Sequence, residues 1–182
     1  MSQSKKIIAY INLAHFIDHY AMLIFAAAVI VIAPTFNMKY GELLPYATPG
    51  FIAFGAGSLL TGWLGDKWSR YNMMTIFFFG MGFALLGVSF IQTPLQLGVM
   101  LLLVGMLASI YHPVGTAMLV SNAEKLGKEI GINGVWGNAG VASSALITGV
   151  ITQYLGWRIA FIVPAVICLV VGFLFFFPRV FF

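Results

Sequence analysis

Two histidines and an aspartate, His15, Asp18 and His19, interrupt the first apolar stretch of the sequence. Spacings of three and four residues place such side chains on one face of a helix. Three interpretations follow. The face exchanges protons and attracts an anion, it offers two imidazoles and a carboxylate to a metal ion or haem, or its members satisfy one another's hydrogen bonds inside a bundle.

A further histidine, His112, lies between Tyr111 and Pro113 in another apolar stretch. Proline loosens the carbonyls of the preceding helical turn, and these need donors. His112 is therefore either a functional group or a structural donor. The sequence contains no phosphate-binding loop, nucleophile elbow or cysteine-rich motif, so we do not expect an enzyme.

The composition indicates a membrane protein. Of the 182 residues, 61% are hydrophobic and only 8% are charged, whereas soluble domains are about half apolar and a quarter charged. The formal net charge of +4 comes from scattered residues and forms no continuous basic stripe. We therefore expect membrane lipid as a partner and no nucleic acid.

Apolar segments of about 20 residues are long enough to cross a bilayer as helices. The sequence predicts six of them in a single all-α bundle over residues 1–182, at about 7–33, 43–65, 71–92, 95–121, 132–154 and 157–178. The predicted connections between these segments are short, so consecutive helices should be antiparallel neighbours. Because the first and fourth helices both carry histidine, we expect two three-helix repeats, and these must be inverted in the membrane.

The distribution of basic residues predicts that both termini are cytoplasmic. With this orientation seven basic residues lie inside and two, Lys39 and Arg158, lie outside, as the positive-inside rule requires. The seven are Lys5, Lys6, Lys67, Arg70, Lys125, Lys128 and Arg179.

The turn between the second and third predicted helices reads Gly-Trp-Leu-Gly-Asp-Lys-Trp-Ser-Arg over residues 62–70. It resembles the conformational signature loop of the major facilitator superfamily, matching at Gly62, Leu64, Asp66, Lys67 and Arg70 and departing at Ser69 and Tyr71. Two glycines there allow close helix approach, and Asp66 can cap a helix and pair with Arg70.

The histidine-bearing segments and the glycine-rich fifth helix are similar to the fosmidomycin-resistance branch of that superfamily. This resemblance covers the amino-terminal six helices of a class that ordinarily has twelve. It implies that the first and fourth helices line a central cavity. His15, Asp18, His19, Tyr111 and His112 would then converge on this cavity.

The fifth predicted helix carries a stripe of small residues, Gly137, Gly140, Ser144 and Thr148, which is typical of close helix packing. In the superfamily an antiporter signature occupies this helix. Gly131 and Gly140 fit its first spacing, which is the one feature that favours export, whereas Ser144 and Ala145 stand where the signature has Gly-Pro. Trp136 and Asn138 either face the cavity or serve packing and hydrogen bonding.

Together these features predict half of a major facilitator fold in the bacterial cytoplasmic membrane. We expect a half-size secondary transporter that moves a small organic or anionic solute by proton-coupled alternating access, with drug efflux as one form of this activity. It would act without a cofactor or resident metal, as a homodimer or with a matching carboxy-terminal half. The alternatives are a non-transporting subunit that binds metal or haem through the His15, Asp18 and His19 face, and an amino-terminal fragment of a twelve-helix transporter.

Overall fold

In the computed structural model the chain is described over residues 2–181, with side chains over residues 2–177. No strand occurs in this part of the chain. The side chain of Arg179, counted above as cytoplasmic, lies outside the described residues. The α-helices are α1 (Gln3–Ile32), α2 (Tyr40–Leu43), α3 (Thr48–Leu64), α4 (Arg70–Ser89), α5 (Pro94–Ala108), α6 (Thr116–Asn122), α7 (Leu126–Leu155) and α8 (Trp157–Phe181).

Within the described residues, five continuous helical runs are long and apolar enough to cross a membrane, not the six that we predicted. The second and third predicted helices lie in one run, Tyr40–Ser89. The reason is a π-helical turn at Gly65–Ser69 that joins α3 to α4 without an intervening loop. The extended backbone of Ser69, with φ −165° and ψ 118°, still interrupts the run.

The glycine contacts of α3 and α4 establish that this long run reverses direction. Cβ atoms added at Gly50 and Gly57 of α3 would meet Leu101 and Ser109 in ascending order, so α3 runs parallel to the chain through α5. By contrast, Gly80 and Gly87 of α4 face Leu107 and Met100 in descending order. The helices α3 and α4 are therefore antiparallel to each other.

Helix ends follow from local capping chemistry. The Ser69 hydroxyl accepts a hydrogen bond from the Asn72 amide at the start of α4, so Ser69 and not Asp66 fills the predicted capping role. Thr93 and Gln96 form a capping box at the start of α5, with Pro94 in the first turn. At the end of α7, Gly156 takes a φ of 86°, which disfavours a side chain.

The fourth predicted helix is interrupted in the middle. Residues Tyr111–Gly115 form a π-helical turn between α5 and α6, because Pro113 has no N–H to donate. Such turns widen the backbone locally and often occur at functional positions. This one places the Tyr111 and His112 side chains against α1.

Helices α1 and α7 run parallel and closely packed. A Cβ at Gly137 would meet the His15 ring, and one at Gly140 would meet the Phe16 carbonyl. Further along, Ser144 Oγ lies 3.4 Å from the Tyr20 carbonyl oxygen. Helix α8 covers α4, with Gly82 against Leu169.

Candidate functional site

Helix α1 presents two half-buried histidines toward α7. His15 Nδ1 lies 2.8 Å from the backbone oxygen of Asn133, and His19 Nε2 lies 3.0 Å from His15 Nε2. A carbonyl oxygen only accepts, so His15 Nδ1–H is the donor to Asn133. In the neutral ring, His15 Nε2 is then the lone-pair nitrogen and accepts from His19.

His112 reaches the same place from the π-helical turn. Its ring centroid is 5.5 Å from that of His15 and 5.4 Å from that of His19. One ligand atom from each of the three histidines lies within 4.8 Å of the others. We call these three residues the histidine cluster. It contains every histidine of the chain.

Asp18 lies next to the histidine cluster but is fully buried. Its Oδ2 is 3.6 Å from His112 Nε2, and neither carboxylate oxygen accepts a hydrogen bond from the described residues. The grouping that we predicted for a metal or haem site, with Asp18 beside His15 and His19, is therefore different in the structure. His112 occupies the third position, because Asp18 points from α1 toward the π-helical turn.

Two asparagines that the sequence did not single out hold this site together. Asn133 of α7 accepts from the Tyr111 hydroxyl at 3.1 Å and donates to Asn12 Oδ1 at 2.9 Å. The Tyr111 ring also stacks on His15, with centroids 4.7 Å apart. Asn12 stands three residues before His15 on α1, so buried polar spacing was the signal that could have identified it.

The remaining candidates on α7 divide between its two faces. The four small residues are all buried, and Thr148 Oγ1 lies 3.4 Å from the Tyr20 hydroxyl. Trp136 is 41% exposed and meets the Phe16 ring edge-on at 6.5 Å. The Asn138 side chain is exposed and forms no hydrogen bond with another described residue.

The signature loop begins beside the π-helical turn that carries His112. Asp66 Oδ1 is 2.8 Å from Arg70 Nη2, and both side chains are substantially exposed. A Cβ at Gly62 would come within 3.1 Å of Pro113, so α3 packs closely on the π-helical turn there. Leu64 packs partly buried against the core, and Lys67 is exposed.

Comparison with solved structures places the fold. The chain is similar to the POT family transporter PepTSo, known from an in meso crystal structure, with a TM-score of 0.76 and 16% sequence identity. The match covers 96% of this chain and 37% of PepTSo, so the chain spans little more than a third of that transporter's length. At this identity the likeness concerns the fold alone.

Sequence comparison identifies the family. No curated protein matched the chain, and the resemblance to the fosmidomycin-resistance branch stays a prediction. The family model of the Major Facilitator Superfamily matches residues 11–181. This match, together with the apolar helical runs, identifies an integral membrane protein and points to a transporter rather than an enzyme. The chain belongs to the major facilitator superfamily.

Proposed function

We propose that this chain is a six-crossing unit of a secondary transporter, in which the run Tyr40–Ser89 crosses the membrane twice. The single observation that carries the proposal is Asp18, a fully buried carboxylate without a hydrogen-bond partner among the described residues, beside the histidine cluster. Ionisable side chains inside a membrane are costly and rare, and mark solute or proton pathways. Superfamily membership supports alternating access as the mechanism class.

The coupling ion in this proposal is the proton. A buried acid without a permanent counter-charge is a suitable carrier when its access changes from one side of the membrane to the other. Export in exchange for protons, the inverted three-helix repeats and the bacterial cytoplasmic membrane are parts of the same proposal. Both termini lie in the cytoplasm.

Alternating access can be tested without knowing the solute. Phe54 contacts the His112 ring, with centroids 5.6 Å apart, so a cysteine at position 54 reports on access to the site. In a Cys168→Ala background, we expect Phe54→Cys to react with a membrane-impermeant thiol reagent in both right-side-out and inside-out vesicles. Phe161→Cys, at a position with no exposure, is the unreactive control.

Proton coupling adds a second requirement. A change of pH should alter the ratio of labelling from the two sides, and Asp18→Asn should abolish this change while leaving the amount of protein in the membrane near that of wild type. Labelling from one side only would contradict alternating access and favour a non-transporting subunit. Poor accumulation of Asp18→Asn with an unchanged pH response would assign Asp18 a structural role.

We propose further that the unit works with a companion, either a second copy or a matching carboxy-terminal half. Two copies related by a twofold axis along the membrane normal would cover each other's polar faces. The exposed Asp66 carboxylate would then approach the start of α7 in the other copy, where the helix dipole favours a negative charge by about 0.3–1 kcal/mol.

Cross-linking tests the homodimer. Asp66 and Ile132 are both exposed in the single chain. Cysteines at these positions, in the Cys168→Ala background, should form a disulfide between chains in one state of the access cycle. Cross-links confined to one chain would rule out the homodimer and leave the matching half as the companion. A monomer that labels from both sides would rule out both kinds of companion.

A further inference from the structure

The histidine cluster has the geometry of a transition-metal site. His15 and His19 stand four residues apart on α1, a spacing that lets two imidazoles bind one ion from one helical face. Zinc–nitrogen bonds of about 2.0–2.1 Å in a tetrahedral site separate the nitrogens by about 3.3 Å. The two Nε2 atoms are 3.0 Å apart, close to that separation. A nitrogen of His112 lies within 4.8 Å of both ligand atoms. A small movement of the His112 ring toward the other two histidines would therefore complete a set of three ligands.

The surroundings of His15 already orient one ligand. A metal-binding histidine almost always donates its other ring N–H to a carboxylate, backbone carbonyl or water, which fixes the lone pair that faces the metal. His15 Nδ1 makes such a bond to the Asn133 carbonyl at 2.8 Å. The lone pair on His15 Nε2 therefore points into the cluster, and the Tyr111 ring stacked on His15 restricts its rotation.

Charge favours a cation at this position. Asp18 is fully buried, with Oδ2 3.6 Å from His112 Nε2 and no hydrogen bond to either oxygen from the described residues. A buried carboxylate without a partner is strongly unfavourable. The stretches between residues 7 and 38, 40 and 66, and 71 and 124 contain no Lys or Arg, and Lys128 of α7 is exposed five residues before Asn133. A divalent cation on the three imidazoles would supply the missing positive charge.

We propose that the histidine cluster binds a divalent transition-metal cation, and that this cation is the transported solute. Imidazole ligands suit zinc, copper, iron and nickel and leave magnesium and calcium to oxygen ligands. Three protein ligands leave a coordination position open, as in exchangeable sites and unlike closed structural ones. The side chain of His112 is 42% exposed, so the cluster is open to the outside of the chain. The assignment of the ion as solute rests on the proposed transport function.

The test uses Co²⁺ as a spectroscopic probe on the full chain, purified in detergent without a histidine tag. Because the three histidines of the chain are all in the cluster, no other imidazole can bind the probe. We expect about one Co²⁺ per chain, with the visible absorption of a four-coordinate site. Zn²⁺ should displace the probe, and excess Mg²⁺ should not.

Variants assign the ligands. His19→Ala and His112→Ala should each weaken Co²⁺ binding at least tenfold, and Glu124→Gln, which changes an exposed loop acid, should bind as wild type does. His112→Gln serves if His112→Ala does not fold, as judged by gel filtration. The absence of saturable Co²⁺ binding by the wild type, or equal binding by wild type and both histidine variants, would overturn the site.

Flux separates this inference from the proposed function. In proteoliposomes that contain a zinc-sensitive dye, wild type should move Zn²⁺ and His19→Ala should not. Two-sided cysteine labelling without Zn²⁺ movement would overturn the metal as solute and leave alternating access standing. Co²⁺ binding with one-sided labelling would overturn both the transport function and the assignment of the ion as solute, and would leave a metal-binding membrane protein.

Discussion

Substitution of Gly140 by alanine tests how closely α1 and α7 pack. A Cβ at this position would overlap the carbonyl oxygen of Phe16 and lie 3.1 Å from its carbonyl carbon and 3.2 Å from its Cα. These are backbone atoms of a continuous helix, so no side-chain rotation can relieve the contact. The two helices would have to move apart along the face that joins His15 to Asn133.

Two opposing effects determine how Gly140→Ala changes the free energy of unfolding. Overpacking an established interface costs about 1–3 kcal/mol. Replacing glycine by alanine inside a helix contributes about 0.5–1 kcal/mol of stability. Because the clash is with backbone, we expect overpacking to dominate in Gly140→Ala, with a net loss of about 1–2 kcal/mol in the free energy of unfolding.

The matched control is Gly149→Ala on the same helix. A Cβ at Gly149 would meet nothing within 4 Å, so this variant should equal or slightly exceed the wild type in stability. Thermal and denaturant unfolding in one detergent, followed by tryptophan fluorescence, compares the three proteins. If Gly140→Ala proved as stable as Gly149→Ala, the close approach of α1 and α7 would be wrong.

Two further substitutions separate structural from functional charges. Arg158 donates to the carbonyl oxygens of Ser89 at 3.1 Å and Ile91 at 3.3 Å and stacks over Trp157, so Arg158→Ala should lower the free energy of unfolding by about 1–3 kcal/mol. Arg158→Lys should recover only part of this stability. An unchanged stability in Arg158→Ala would mean that the end of α4 needs no donor. Asp66→Asn removes an exposed ion pair and should change the free energy of unfolding by less than about 1 kcal/mol. It should nevertheless alter the ratio of Phe54→Cys labelling from the two sides of the membrane, and an unchanged ratio would show that Asp66 takes no part in the access cycle.

The membrane-spanning segments could largely be predicted from the sequence, because lipid requires long apolar helices. Their ends were harder to predict. The helical run through Gly65 to Ser69 depends on a π-helical turn that hydropathy does not reveal, and at its end the backbone of Ser69 is extended. Likewise, Pro113 marked a kink but gave no sign that the turn around it would carry His112 to α1.

The site was partly predictable for a geometric reason. At about 100° per residue, His19 lies about 40° from His15 around the helix, whereas Asp18 lies about 60° away on the other side. The three residues share a broad face, but Asp18 and His19 diverge by about 100°, so they contact different neighbours. Which neighbour each would meet depends on the packing of α7 and the π-helical turn, and one helix contains no information on that.

Asn133 limits where the proposed transport movement can take place. Its side chain binds Asn12 and Tyr111, and its backbone oxygen accepts from His15, so one residue joins α1, α7 and the π-helical turn. Moving α7 relative to α1 would break these bonds and leave buried polar groups unpaired, at about 1–3 kcal/mol each. A rigid rotation of the whole unit against its companion breaks none of them. The proposed alternating access would therefore require the proposed companion, with the histidine cluster carried as a fixed body on one side of the moving interface.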